Sequence, residues 1–257
     1  MNIRAIAALC RLTALENARK HIFHVLALLA LTVIVGSTLL SFFSLGVQIK
    51  VLKDLSLAGM LLGGGMMAVV LPASGLRGSA ETRLLQPILA RPVRRRDVLL
   101  GRYFGNLLTI YIGLAMMSVV FSALVFAYQR HLDWLLLIGV AYVWLEVAVL
   151  AATSTLLSTV LSPAMAVTVA GLCYLLGSIK ISYLGHILSR TKGPLSHTAL
   201  AIVYHALPNL ESFNFRDALV HGVSVPGCYL TWVAAYGLLY AGLMVWIASV
   251  AWGRQDL

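Results

Sequence analysis

Few side chains in this sequence are of a type and in a place to do chemistry, and the foremost is Glu146, a carboxylate set deep inside an apolar run. A charge at the centre of a bilayer costs ~2.5–3.5 kcal/mol on insertion scales, so such a group normally faces protein or water. Two readings of Glu146 stay open: it lines a pathway or ties two helices, or it is a protonated or hydrogen-bonded structural glutamate. Lys180 is the nearest basic candidate partner, yet helix rise puts it roughly 12 Å nearer the end of its own run. A snorkelling ammonium is therefore expected in preference to an ion pair. The hydroxyls of Ser122, Ser154 and Thr155 have no histidine or paired aspartates at their depth to act as a base, and His24 lies near the opposite end of the first run. His186, His197, His205, His221, Glu211 and Asp217 are scattered, without the i, i+4 spacing of a metal site, and no metal is expected there. Cys10, Cys173 and Cys228 show neither paired nor ligand spacing. No catalytic residue is expected.

The elements that hold these groups are long and apolar. The chain has 257 residues, 60% of them hydrophobic and 11% charged, against roughly 25% charged in an ordinary globular domain. Its formal charge of +10 is not spread over a face, as nucleic-acid binding would need; Lys and Arg cluster in the gaps between apolar stretches. Runs able to cross ~30 Å of hydrocarbon lie near Ile22 to Leu45, Leu55 to Leu71, Phe104 to Tyr128, Leu132 to Leu161, Ala164 to Leu184 and Cys228 to Trp252. The first exceeds a signal-peptide core and has no small-residue cleavage site after it, so it is expected to be retained. The second carries Gly63, Gly64 and Gly65, which predicts close packing through small residues. The expected fold is an all-α, polytopic membrane protein with six transmembrane helices, one transmembrane domain over residues 1–257.

With both termini in the cytoplasm, Arg4, Arg11, Arg19, Lys20, Arg77, Arg83, Arg91, Arg94, Arg95, Arg96, Arg102 and Arg254 fall inside. Only Lys50, Lys53, Arg130, Lys180, Arg190, Lys192 and Arg216 fall outside, the bias the positive-inside rule asks for. Trp134, Trp232, Tyr128, Tyr229 and Trp252 sit near span ends, where amphipathic rings favour the headgroup layer. The Arg-, Ala- and Leu-rich composition is compatible with a bacterial inner membrane.

Three segments are not spans. Within residues 1–21, Ile3, Ile6, Ala7, Cys10 and Ala14 share a helical arc beside Arg4 and Arg11, interrupted by Asn17, which predicts an interfacial helix; a basic tail obeying the positive-inside rule is the alternative. In the outer segment 185–227, His197 to Leu207 is a short apolar helix candidate ended by Pro208-Asn209, expected to lie at or dip into the outer leaflet. In the inner segment 76–103, Leu84, Leu85, Ile88 and Leu89 cluster at helical spacing, with Glu81 and Arg83 at the start and Pro87 bending the turn. Arg91-Pro92 stops the helix, because the residue before proline is pushed out of the α region. An apolar ridge closed by a basic turn fits a groove on another protein. The same charges also suit a positive-inside anchor or a patch for anionic lipid.

The stretch Glu81, Leu85-Gln86-Pro87-Ile88-Leu89-Ala90-Arg91-Pro92-Val93, Arg95-Arg96 and Val98-Leu99-Leu100-Gly101-Arg102 resembles the cytoplasmic loop of ABC-2 type transporter permeases. The helix before the first span, the large outer segment and the Arg254 to Leu257 end are also similar; Arg83 and Leu84 depart from the Gly-Thr many members carry. The resemblance implies a cytoplasmic coupling helix at about Glu81 to Pro92, with Glu81, Arg83, Leu84, Leu85, Ile88, Leu89, Arg91 and Pro92 meeting a separate ATPase subunit. It also implies short re-entrant helices between spans five and six, two copies of this chain with two ATPases, and export. ATP and Mg would be held by the partner, since this chain has no GxxxxGK[ST], and Met66 follows the Gly63 to Gly65 run inside a span. An ATP-independent carrier, a regulatory membrane subunit and an intramembrane enzyme acting on lipid or peptide are the competing expectations.

Overall fold

Backbone in lipid has no water to bond, so long apolar runs become helices whose hydrogen bonds close within the segment. The computed structural model describes residues 3–41, 48–73, 95–130, 134–190, 207–216 and 225–253, with isolated positions 197, 198, 200, 201, 204 and 218 between them. No strand occurs among the described residues. The helices are α1 (Ile3–Arg19), α2 (His21–Ser41), α3 (Gln48–Ala73), α4 (Arg95–Gln129), α5 (Trp134–Val160), α6 (Pro163–Ser178), α7 (His186–Arg190) and α8 (Gly227–Gly253). Five of them, α2, α3, α4, α5 and α8, are long and apolar enough to cross a membrane, and the chain is a multi-pass membrane protein.

The sixth expected span departs from the sequence reading. In place of one straight helix from Ala164 to Leu184, α6 ends at Ser178 and the chain bends by 71° into a π-turn at Lys180–Gly185 and then α7. With 16 residues, α6 is about 24 Å long by helix rise, short of the ~30 Å hydrocarbon layer. The pair is therefore a broken span or a re-entrant element.

α3 is the centre of the bundle: 67% of its apolar window is buried, against 28% in α2 and in α8. Consecutive helical residues point about 100° apart, and the three adjacent glycines use this to admit three sets of neighbours. A Cβ on Gly63 would overlap Ala30 of α2. One on Gly64 would meet Leu114 of α4 at 2.8 Å and Val147 of α5 at 3.1 Å, and one on Gly65 would meet the Tyr174 ring of α6 at 2.7 Å. α2 and α3 run antiparallel, with Val33 over Gly59 and the Ser37 and Ser56 hydroxyls bonded at 3.0 Å. α3 and α4 are antiparallel too, pairing Gly63 with Met117 and Met67 with Gly113.

α1 packs through a face rotated from the apolar arc and overlapping it at Ile6 and Cys10. It docks on the first turns of α4, where Cβ atoms on Gly101 and Gly105 would each lie 2.6 Å from a Cβ of α1, those of Leu9 and Thr13. This is the small-xxx-small device for close helix approach. Asn17, which interrupts the arc in sequence, is buried and donates from Nδ2 to Oδ1 of Asn106 at 2.6 Å. Leu12 and Leu15 remain exposed on the other side. We expect Gly105→Leu to free α1 and cost about 1–3 kcal/mol by overpacking. Thermal unfolding of the purified protein checks this, with faster proteolysis before residue 20 as the accompanying sign.

Trp232 and Tyr229 are exposed as interfacial rings should be, whereas Trp252 is buried and so belongs to the packed bundle. The candidate coupling residues Glu81, Arg83, Leu84, Leu85, Ile88, Leu89, Arg91 and Pro92 lie outside the described residues. Residues 95–103 of that predicted segment form the first turns of α4. Because α3 and α4 are antiparallel, the end of α3 at Ala73 and the start of α4 at Arg95 both fall at the end of the bundle where α1 is docked.

Candidate functional site

At the opposite end, residues 207–216 turn back into the bundle. Leu210 and Phe213 are fully buried: Leu210 packs on Gly177 of α6, and Phe213 fills the space over Gly237 of α8 beside Leu145 of α5. Phe215 stacks edge-on against Tyr142 and Tyr229. Arg216 reaches α3, where Nε and Nη2 donate to Asp54 Oδ1 at 2.9 and 2.7 Å. One short segment thus ties α3, α5, α6 and α8 together.

The same segment holds the bend open. At a helix start the first N–H groups lack intrahelical partners; here the Glu211 carboxylate accepts from the backbone N–H of Ile181 and Ser182 and from the Ser182 hydroxyl. Lys180 is buried and donates to the Leu207 carbonyl at 2.8 Å, its ammonium 4.7 Å from the Tyr204 ring centre. The expected snorkelling of Lys180 is replaced by this bond, because residues 207–216 bring a carbonyl to it. We expect Glu211→Ala to cost about 0.5–2 kcal/mol, the range for losing a helix cap; thermal unfolding measures it.

Beneath residues 210–216 lies a cavity of about 210 Å³ walled by Ala58, Leu61 and Leu62 of α3, Glu146 of α5, and Tyr174 and Ser178 of α6, with Leu210, Glu211, Asn214 and Arg216 as its roof. Glu146 is 3% exposed, and its Oε2 finds no hydrogen-bond partner among the described residues. The Tyr174 hydroxyl donates to the Leu61 carbonyl, fixing the ring in the wall. The Ser154 hydroxyl donates across to the Val69 carbonyl of α3, and the Thr155 hydroxyl to the Ala151 carbonyl one turn back in α5.

Sequence reasoning singled out Glu146 but not its surroundings. Tyr174 and the Asp54–Arg216 pair carry no local signal, the latter joining positions 162 residues apart. Among the described residues no three His, Cys, Asp or Glu side chains come together as a metal site; His205, Asp217 and His221 lie outside the described residues. No protein-family model and no curated protein sequence matches this chain.

Proposed function

We propose that this chain is the transmembrane permease subunit of an ABC transporter, dimerising and driven by separate ATP-binding subunits. The observation that carries the reading is the sequence from Glu81 to Arg102: a leucine ridge, Arg91-Pro92-Val93 and a Leu99-Leu100-Gly101-Arg102 close, set between two membrane helices. It is supported by the arrangement around it, since α3 ends and α4 begins at the end of the bundle where α1 is clamped to the α4 stem. A force applied to segment 81–92 would pass along the chain into α4 at Arg95, from α4 to α1 at Gly101 and Gly105, and into the central α3 through Ala73.

On this reading both termini and the coupling helix face the cytoplasm of a bacterial inner-membrane protein, and the cavity faces outward. Export follows from family resemblance, and a two-fold pair is the commonest way for a six-span chain to complete a pathway. The ATP-independent carrier draws on one feature, the broken helix at Ile179. Carriers of that kind place matched breaks in two repeats, and among the described residues this break has no counterpart. Purification of the tagged chain from native membranes tests the proposal: a stoichiometric nucleotide-binding protein is the expected companion, and its absence under mild solubilisation defeats the reading.

A further inference from the structure

We infer that the cavity beneath residues 210–216 is a binding site for an organic ammonium group, with Glu146 as its counter-charge. The inference rests on the cavity alone and holds with or without an ATPase partner.

Three lining side chains are ionisable, Glu146, Glu211 and Arg216, and two of them are already engaged. Glu211 is bonded to the N–H groups of Ile181 and Ser182, and the Arg216 guanidinium is forked onto Asp54. Glu146 is left, more than nine-tenths buried, with Oε2 lacking any partner among the described residues. Burying a polar group without a hydrogen bond is costly, and most buried polar atoms in folded proteins have a partner. A cavity against such a group is where a ligand supplies what the protein does not.

The rest of the wall selects the ligand's class. An ammonium group brings the donors and the charge that a carboxylate accepts, and the Tyr174 ring provides an aromatic surface of the kind that attracts alkylammonium. Ala58, Leu61 and Leu62 suit the carbon substituents of an amine. A bare metal cation fits poorly: Ca²⁺ or Mg²⁺ needs six or more oxygen ligands, whereas this wall is largely apolar; the Arg216 guanidinium, which would oppose any cation, is paired with Asp54. The amine could arrive free in solution or as the headgroup of a lipid entering from the bilayer.

Both sources are tested on the full-length protein. In the first arm, ethanolamine, a primary amine protonated at neutral pH, is titrated into detergent-solubilised protein and the unfolding temperature followed. In the second, nanodiscs of phosphatidylglycerol are compared with nanodiscs containing phosphatidylethanolamine, and lipid retained on the protein is read by native mass spectrometry. A saturable stabilisation in the first arm identifies a free amine; selective retention in the second identifies the headgroup. In either case Glu146→Gln, which keeps the shape and removes the charge, is expected to weaken binding at least about tenfold. Ala58→Leu, which fills the cavity and leaves the carboxyl in place, is expected to do the same and serves if the glutamine variant does not fold. No binding in both arms, or binding that survives both substitutions, overturns the inference.

Discussion

Aspartate at Leu85 and Leu89 together is expected to abolish stimulation of the proposed ATPase subunit while leaving the membrane bundle folded. Fully burying one leucine in a partner's groove is worth about 1.5–3 kcal/mol. Losing two anchors, and placing two charges in the groove, therefore weakens association by at least about a hundredfold. The bundle should be untouched, because its described core is built from α2 to α6 and α8, with Leu114, Met117, Val147 and Phe121 among its fully buried side chains. The check is paired: ATPase activity of the reconstituted complex collapses, and the thermal unfolding of the isolated chain does not move. Loss of both would make the ridge a folding element, and loss of neither would remove the proposed docking helix. Alanine at Arg91 is a milder version, expected to reduce coupling through the basic turn alone.

Gly63→Ala is expected to prise α2 from α3, and Ala30→Gly to put it back. The Cβ of alanine at position 63 would occupy the place of Ala30 Cβ, and that neighbour is a short group fixed to a helix backbone, with no flexible end to swing aside. Overpacking of this kind costs about 1–3 kcal/mol, and here α2 must retreat as a unit, so the upper end applies. Retreat would also separate Ser37 from Ser56, whose hydroxyls lie at 3.0 Å. In the double variant the methyl group has only changed sides, and most of the stability should return. A double-mutant cycle on unfolding temperature or on folded yield reads the coupling; additive losses would show that positions 30 and 63 do not touch.

The membrane spans are legible in the sequence because a span is a property of composition over a window, and runs such as Leu132 to Leu161 have no competing interpretation. Gly63 to Gly65 announce close packing for a similar reason, since nothing but space recommends three glycines in a helix. The bend at Ile179 is different. Its local signal is only the Gly177-Ser178 pair, of a kind found at kinks but also common within membrane helices, and the break is held by groups brought from elsewhere: Glu211 on the freed N–H groups and the Leu207 carbonyl on Lys180. Asn17 shows the same limit in miniature. In sequence it interrupts an apolar arc; in the fold it is the polar bond that fixes α1 to Asn106. Glu146 could be picked out by its isolation, but the Tyr174 wall and the Asp54–Arg216 roof exist only once residues 207–216 have folded back.

The proposed role stands or falls with what touches the leucine ridge. A photo-crosslinking residue placed at Leu89, in the full chain in its native membrane, reports that contact directly. The proposal predicts one dominant adduct, to a protein carrying a GxxxxGK[ST] nucleotide-binding loop, whose yield drops when Leu85 is replaced by aspartate. Adducts to lipid alone, or a yield indifferent to that substitution, would contradict it.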